Sequence, residues 1–192
     1  MSETKAHKKH ILSYLNSDNI IDLGFGGSKV VPHAIGSDLP RPYTKVGEDT
    51  NDIPADITKG LPIEDGRFDI VFSSHLIEDF IDTTAILNEM VRILKDGGRL
   101  ILFFPDEQRY REWNKHQPHV LNQAHKHLNM GLEFMKNKLS ELTSRFGHHV
   151  EYIYTRDEPS DGYNVIIVCD IKKSSREILF TSSDNTIRKF KL

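Results

Sequence analysis

Residues 20–27 of this chain read IIDLGFGG, and residues 34–38 read AIGSD. The first stretch is an apolar strand that runs into a glycine-rich turn, and the second is a short strand that ends in Asp38. Glycine lets the backbone pass close to a ligand because no Cβ stands in the way. An aspartate at the end of the next strand can accept hydrogen bonds from a ribose diol. Together the two features predict a nucleoside-cofactor site at the carboxyl edge of a parallel sheet.

The spacing of the glycines narrows the class of nucleoside. A dinucleotide fingerprint requires G-x-G-x-x-G, in which the third glycine packs a helix on the sheet, and Lys29 occupies that third position here. A phosphate-binding P-loop requires G-x-x-x-x-G-K-S/T, and the sequence contains no such run. The pattern that remains is D-x-G-x-G, with the acid inside the motif at Asp22.

Length and composition exclude several classes of protein. The 192 residues suit one domain, or a domain with a tail. A formal net charge of −3 gives no overall field that would attract nucleic acid, so nucleic-acid contact is not expected. The single cysteine, Cys169, lies in an apolar run and is predicted to be a buried thiol. The N-terminus is polar and no apolar run approaches the roughly 18 residues of a membrane span, so we expect a cytoplasmic protein.

Hydrophobic periodicity predicts strands that alternate with helices. Thr83–Leu94 is predicted to be an amphipathic helix, because its apolar residues recur at helical spacing, and Phe68–Ser73 a strand buried on both faces. The other predicted strands are Ile20–Leu23, Ala34–Ser37, Asp52–Ile57, Arg99–Phe104, Val150–Tyr154 and Asn164–Asp170, and the other predicted helices are Lys5–Leu15 and Leu132–Phe146. The expected fold class is α/β: a Rossmann-like, doubly wound, mostly parallel sheet with a C-terminal antiparallel strand pair.

Two further runs carry a resemblance to a known family. Residues 61–71 read LPIEDGRFDIV and residues 89–100 read EMVRILKDGGRL. With the D-x-G-x-G turn, they resemble the motifs of class I S-adenosylmethionine (SAM)-dependent methyltransferases of the type 11-like superfamily, over roughly residues 20–105. The resemblance implies that SAM is the cofactor and S-adenosylhomocysteine the product.

The first crossover departs from the usual pattern of that superfamily. Asp22 and Asp38 are too close in sequence for a full helix between the first two strands, and Pro32 limits any helix there. A branch of the superfamily with a shortened first crossover is similar to this chain, which has SSHLIED at residues 73–79 and PD at residues 105–106. Asp79 stands where that branch often has histidine, so no role for such a histidine carries over.

The resemblance assigns residues to the cofactor. The turn of Gly24, Phe25, Gly26 and Gly27 is expected to pass under the homocysteine portion of SAM. Asp22 is expected to hold that turn, or the cofactor's amino group through water. The remaining cofactor-binding residues are Asp38 and Leu39 at the ribose, Asp56 and Ile57 at the adenine, and Ser73 and Ser74 at the end of the fourth strand.

The acceptor side is assigned by position. Methyl transfer is an in-line displacement that depends largely on alignment, and a general base is needed when the acceptor must lose a proton. His75, just after the fourth strand, is the first candidate, and Asp106 and His127 are the other two. The expected acceptor is a small molecule or a glycan, methylated on oxygen or nitrogen.

The rest of the chain divides into a domain, a lid and a tail. Residues 1–171 are expected to form a single methyltransferase domain in which residues 107–130, rich in aromatics and histidines, cover the acceptor site. The spacing of His116, His119, His125 and His127 does not match a metal motif, so no metal is expected. The tail, residues 172–192, could add an edge strand, pack on a second copy in a homodimer, or stay mobile.

Two other functions stay open at this point. A noncatalytic SAM-binding or interaction domain would carry the same turn, because no single residue proves turnover. A nicotinamide-dependent oxidoreductase is disfavoured by the missing third glycine and by the absence of a Tyr-x-x-x-Lys pair.

Overall fold

The computed structural model describes residues 8–42, 45–117, 119, 121–158 and 162–174, and the backbone of residues 177–181 and 187–191. Seven strands of this part of the chain form one sheet in the order β3-β2-β1-β4-β5-β7-β6. The strands are β1 (Ile20–Leu23), β2 (Ile35–Asp38), β3 (Ile53–Pro54), β4 (Phe68–Ser74), β5 (Leu94–Pro105), β6 (His149–Asp157) and β7 (Asn164–Lys172). Strands β1 to β5 are parallel, and β7 runs antiparallel to both β5 and β6. The predicted fold class is confirmed.

Three α-helices accompany the sheet within the described residues: α1 (Thr83–Ile93), α2 (Glu107–Trp113) and α3 (Leu132–Phe146). Helix α1 begins where the Asp82 side chain accepts a hydrogen bond from the backbone N–H of Ala85 at 3.0 Å. Its apolar stripe is buried against the sheet in a cluster that also contains the inner face of α3. The predicted bounds of α3 are confirmed, and α1 ends one residue earlier than expected because Leu94 already has extended backbone.

The first crossover contains no helix, whereas the short spacing predicted one shortened to about a turn. Residues 24–34 form turns, and the side chain of Asp22 accepts a hydrogen bond from the N–H of Val30 inside them. The face of the sheet that a crossover helix would cover is instead packed by Val30 and Val31 together with Ile11 and Leu15 from the N-terminal segment.

The N-terminal segment and β3 differ from the predictions. The expected helix over residues 5–15 is present as two short 3₁₀ turns at Lys8–His10 and Leu12–Tyr14, and residues 5–7 lie outside the described residues. Strand β3 is only two residues long, because Pro54 has no N–H to continue a ladder and Asp56 already caps a 3₁₀ helix at Ile57–Lys59.

The other strands are close to the predicted ranges but longer or shifted. Strands β5, β6 and β7 extend beyond the predicted ends, and β2 and β4 each include one residue more at the carboxyl end. Cys169 lies on β7 and is fully buried, as expected, and this burial raises the pKa of its thiol to about 12.

The tail forms a backbone hairpin of β8 (Glu177–Thr181) and β9 (Ile187–Lys191), which pair with each other and not with the large sheet. An added edge strand is therefore not the arrangement seen. Homodimer packing through the tail stays a prediction, and the other residues beyond Ser174 lie outside the described residues. No described helix combines the length and the apolar character that a bilayer crossing requires.

Candidate active site

A cavity of about 510 Å³ lies at the carboxyl edge of the sheet. Its volume falls in the range of about 300–1,000 Å³ that is typical of small-molecule and cofactor sites. The residues singled out from the sequence that line it are Asp22, Gly24, Phe25, Gly26, Asp38, Leu39, Asp56, Ile57, Ser74 and His75. Residues far apart in the sequence therefore meet at one concave site, as the resemblance implied.

The glycine turn has the backbone geometry that requires glycine. Gly24 and Gly26 have φ angles of +71° and +57°, in the left-handed region where a Cβ is unfavourable. The N–H of Gly24 donates to Ser37 O at 2.8 Å, and the N–H of Gly26 donates to Asp38 Oδ2 at 3.0 Å. These two bonds fix the turn to the end of β2, which leaves one continuous wall for a ligand.

Asp22 is buried beneath this turn, and one of its two carboxylate oxygens is hydrogen-bonded to the backbone. Its Oδ2 accepts a hydrogen bond from Val30 N–H at 2.6 Å, whereas its Oδ1 has no hydrogen-bond partner in the described part of the chain. Burial raises the pKa of this carboxyl to about 8. A buried carboxylate favours a cationic partner, so the side chain suits the positively charged amino-acid end of SAM.

Asp38 combines a structural role with spare acceptor capacity. Its Oδ1 accepts from Leu39 N–H at 2.7 Å and its Oδ2 from Gly26 N–H, and Asn51 hydrogen-bonds to the backbone on both sides of it. An ionised carboxylate has about four lone-pair sites, so two remain for a ribose diol. The geometry fits the predicted role.

Asp56 and Ile57 line the cavity just after β3, the strand that pairs with β2. Asp56 Oδ1 accepts hydrogen bonds from both the N–H and the hydroxyl of Thr58, at 3.0 and 2.6 Å, and the hydroxyl bond is the main cause that lowers the pKa of this carboxyl. Ala55, Ile57 and Leu61 bring apolar side chains to the same lining. A polar acceptor beside an apolar slot suits a purine base.

His75 lies at the end of β4 in a strained conformation. Its φ angle is +52°, and no other non-glycine residue of the described chain has a positive φ. The backbone N–H of His75 donates to Phe103 O at 2.9 Å, and the imidazole ring meets the Phe103 ring edge-on at 5.1 Å. Ring atom Nδ1 lies 3.1 Å from Glu78 Oε1. Strained residues held by their surroundings are concentrated at functional sites.

The left-handed backbone at His75 leads to a stability prediction. A non-glycine residue in this region costs roughly 1–2 kcal/mol, which glycine avoids, partly offset by the greater freedom of glycine in the unfolded chain. We expect His75→Gly to unfold at a higher urea concentration than His75→Ala, by about 1 kcal/mol in the free energy of unfolding. Both variants lose the imidazole contacts, so the difference between their free energies of unfolding reports the cost of the backbone conformation. An alanine variant of equal or greater stability would contradict the strain.

Four predicted site residues do not line the cavity. Gly27 packs against the backbone of Gly47, and the Ser73 hydroxyl donates to Leu23 O inside the sheet. Asp106 caps helix α2 by accepting from Arg109 N–H at 2.9 Å. His127 Nε2 lies 2.9 Å from Phe80 O, so this nitrogen carries the proton and ties the lid to the start of α1. Asp106 and His127 make these structural contacts and do not line the cavity, and their catalytic roles stay predictions.

The segment between α2 and α3 closes one side of the cavity. Asn122, Ala124 and Lys126 line it, and the Asn122 N–H donates to the Tyr110 hydroxyl oxygen at 2.9 Å. No group of three or more potential metal ligands occurs among the described residues. Residues 107–130 therefore contribute to the cavity, and their role as an acceptor lid stays a proposal.

The lining residues that the sequence analysis did not assign include Leu76, Asp79 and Phe80, which follow His75. Burial raises the pKa of Asp79 to about 6, and the nearby His125 and Lys126 oppose that rise. The signal that could have identified them is the run after β4, where a tight turn keeps several consecutive residues at the sheet edge.

Comparisons with known proteins agree with this geometry. Residues 22–102 match a family model described as a methyltransferase domain. No curated protein matches the chain. A chain from the complex between the Haloferax volcanii Trm112 methyltransferase activator and its methyltransferase aligns with a TM-score of 0.62 and 16% identity, covering 90% of this chain and 94% of that one.

Two further solved structures have the same fold. A SAM-dependent methyltransferase from Thermotoga maritima, described as a possible histamine N-methyltransferase, aligns with a TM-score of 0.57 and 18% identity over 88% of this chain and 89% of that one. One from Mesorhizobium loti aligns with a TM-score of 0.58 and 14% identity over 86% and 97%. Residues 22–102 are therefore similar to a methyltransferase domain, and the chain shares the fold of solved SAM-dependent methyltransferases.

Proposed function

We propose that this chain transfers a methyl group from SAM to a small-molecule or glycan acceptor, on oxygen or nitrogen, at the end of the cavity formed by His75, Asp79, Asn122 and Lys126. The observation that carries the proposal is the continuity of one cavity from the glycine turn to these four polar side chains. A cofactor and a second molecule can therefore meet in the same enclosed space.

The residues that line the cavity would hold SAM and align its methyl group with the acceptor. When bound, SAM supplies an electrophilic methyl group. Asp22 and the Gly24–Gly26 turn hold its amino-acid end, Asp38 accepts hydrogen bonds from its ribose, and Asp56 with Ile57 contacts its adenine. Phe80 and the lid residue Ala124 add apolar surface to the lining of the cavity. Alignment of this kind supplies much of the rate of a displacement reaction.

An activator protein and a second copy of this chain rest on different support. The Haloferax volcanii neighbour is a chain of a complex with an activator protein, and an activator for this chain is a proposal that rests on that fold similarity alone. Cytoplasmic location and a homodimer remain predictions from the sequence.

Substitution of Asp38 tests the cofactor half of the proposal. We expect Asp38→Ala to weaken SAM binding by roughly 10- to 150-fold, because a charge-assisted hydrogen-bonding group contributes about 1.5–3 kcal/mol. Calorimetry gives the dissociation constant. Glu48→Ala is the matched control, since it removes an exposed carboxylate that pairs with Lys45 outside the cavity. Equal SAM affinity in the wild-type chain and Asp38→Ala would remove the ribose assignment.

Transfer of labelled methyl groups from SAM to a panel of alcohols, amines and glycosides tests the catalytic half. Labelled product with the wild-type chain is the expected result. SAM binding without transfer to any member of a broad panel would instead favour a noncatalytic SAM-binding domain.

A further inference from the structure

Three residues of the segment between α2 and α3 line the cavity, and we call them the acceptor wall: Asn122, Ala124 and Lys126. His125 stands between two of them in the sequence but is not part of the lining. Its side chain is only 5% exposed. The ring is therefore packed inside the protein, where it affects the cavity only through the residues beside it.

Two buried carboxylates flank the imidazole of His125. Its Nδ1 lies 2.7 Å from Glu107 Oε2, within hydrogen-bond distance. Its Nε2 lies 3.8 Å from Glu78 Oε1, which is an ion-pair distance and too long for a hydrogen bond. The side chains of Glu107 and Glu78 are 0% and 2% exposed. Because an ionised carboxylate can only accept hydrogen bonds, Nδ1 of His125 is the donor to Glu107.

Glu107 is a fixed point for this contact. Its backbone N–H donates to Met130 O at 2.9 Å, which joins the start of α2 to the end of the segment that follows it. Its Oε1 lies 2.7 Å from Arg111 Nη2, one turn further along α2. A buried carboxylate that loses a partner is strongly destabilised, so the fold maintains the contact between Glu107 and His125.

The backbone of the acceptor wall is bonded to the same two elements that hold His125. The N–H of Asn122 donates to the hydroxyl oxygen of Tyr110 on α2, and the N–H of Lys126 donates to Glu78 O in the 3₁₀ turn at Ile77–Asp79, both at 2.9 Å. The rings of Tyr110 and His125 are 5.0 Å apart. His125 thus connects α2 with the turn after β4, directly behind the acceptor wall.

We propose that His125 is a positioning residue for the methyl acceptor. By holding residues 122–126 between Glu107 and Glu78, it sets where the acceptor wall stands relative to the cofactor end of the cavity. The rate of a displacement reaction depends on this alignment, so the acceptor is affected more than the cofactor. The part of the inference that concerns the acceptor rests on the proposed function.

Amide hydrogen exchange with S-adenosylhomocysteine added tests the position of the wall without turnover. In His125→Leu the amides of Asn122 and Lys126 are expected to exchange roughly 10- to 100-fold faster, because a hydrogen bond to a charged group is lost behind them. The amide of Val168, buried on β7, is expected to change less than about threefold. Equal exchange of the two wall amides in both proteins would overturn the inference, and so would an equal increase at Val168.

A conservative pair of variants shows which carboxylate holds the ring. The amide nitrogen of asparagine can reach the place of Nδ1, whereas that of glutamine can reach the place of Nε2. His125→Asn is expected to restore most of the protection of the two wall amides, and His125→Gln less, since the contact with Glu107 is the shorter one. Greater protection in the Gln variant than in the Asn variant would contradict the role of Glu107. The pair decides the question even where His125→Leu does not fold.

Steady-state kinetics separate the acceptor from the cofactor. Catechol, methyl glucoside and benzylamine are the probes, and His125→Leu is expected to lower kcat/KM for the methylated compound by roughly 10- to 100-fold. The SAM dissociation constant is expected to change less than about twofold, and His125→Asn to recover part of the loss. His33→Asn is the matched control, since His33 is exposed, contacts Ser17 O and lies outside the cavity lining.

The kinetic outcomes distinguish this inference from the proposed function. Normal kcat/KM in His125→Leu would overturn the positioning role and leave the proposed function intact. A SAM dissociation constant raised as much as kcat/KM is lowered would also overturn it, because His125 would then support the whole cavity. A wild-type chain that methylates none of the three probes would count against the proposed function, and the exchange of the two wall amides would still decide whether His125 holds the wall.

Discussion

Gly24→Val is expected to lose SAM binding by more than about a hundredfold. A Cβ at position 24 would lie 2.8–3.0 Å from the side chain of Leu76, which lines the same cavity. The left-handed backbone at φ +71° adds a further penalty for a branched residue. The clash therefore moves Leu76 or the turn, and either movement narrows the space for the cofactor. Calorimetric titration with SAM measures the effect.

Gly97→Val is the matched control for that substitution. Gly97 has nearly the same backbone angle, φ +73°, but a Cβ there has nothing within 4 Å, and the residue lies at the amino end of β5, away from the cavity. We expect the strained backbone to lower the free energy of unfolding of this control by a similar amount. We expect the control to bind SAM as the wild-type chain does. Equal SAM affinities for the two valine variants, both folded by circular dichroism, would show that the turn does not contact the cofactor.

Binding of SAM is expected to release a proton from Asp22. The free carboxyl has a pKa raised to about 8 by burial, so at pH 7 it is about 90% protonated. The cationic groups of SAM favour the ionised form, and the proton must leave when they bind. Since the pKa is raised, the affinity should increase with pH by up to about tenfold per unit below pH 8 and level off above it.

Calorimetry at pH 7 in two buffers of different ionisation enthalpy counts the released protons directly. The expected value for the wild-type chain is about 0.9 proton per SAM beyond the value for Asp22→Asn, which cannot titrate at this position. The Asn variant also corrects for ionisation of the ligand's own amino group. Identical proton release in the two proteins would mean that Asp22 keeps its protonation state, and the carboxylate would then only hold Val30.

Much of the fold could be predicted because the residue patterns of single helices and turns agree with how those elements pack in the core. Helix α1 has apolar residues at helical spacing and an aspartate cap, and the same stripe is buried in the core. The turn at Gly24 and Gly26 was predictable because its left-handed backbone demands glycine. The absence of a full crossover helix was also predictable, since the distance in sequence between Asp22 and Asp38 leaves no room for one.

The structure differs from the sequence predictions where local hydrogen bonds determine the conformation. Strand β3 has only one neighbour in the sheet, and the Asp56 cap ends it early. The position of Asp106 after β5 predicts a role at the acceptor, but a carboxylate there is equally suited to cap α2. His127 was grouped with the lid histidines by composition, and only the structure shows its bond to Phe80.

The buried contacts of Glu78 with His75 and His125 could not be derived from the sequence. Glu78 and Glu107 are distant in the chain and belong to different elements, and His125 joins them only after the lid has folded over the sheet edge. Nothing in the spacing of these residues distinguishes a buried carboxylate from an exposed one. Tertiary structure is therefore what brings the predicted histidine beside a buried carboxylate.

The most direct measurement is calorimetric titration of the wild-type chain with SAM and, separately, with NAD. Binding of SAM in a one-to-one ratio, with no heat of binding for NAD, is the predicted result, because the D-x-G-x-G turn and Asp38 form a mononucleoside site and Lys29 replaces the third glycine of a dinucleotide site. Binding of NAD without binding of SAM would contradict the assignment of the cavity to SAM.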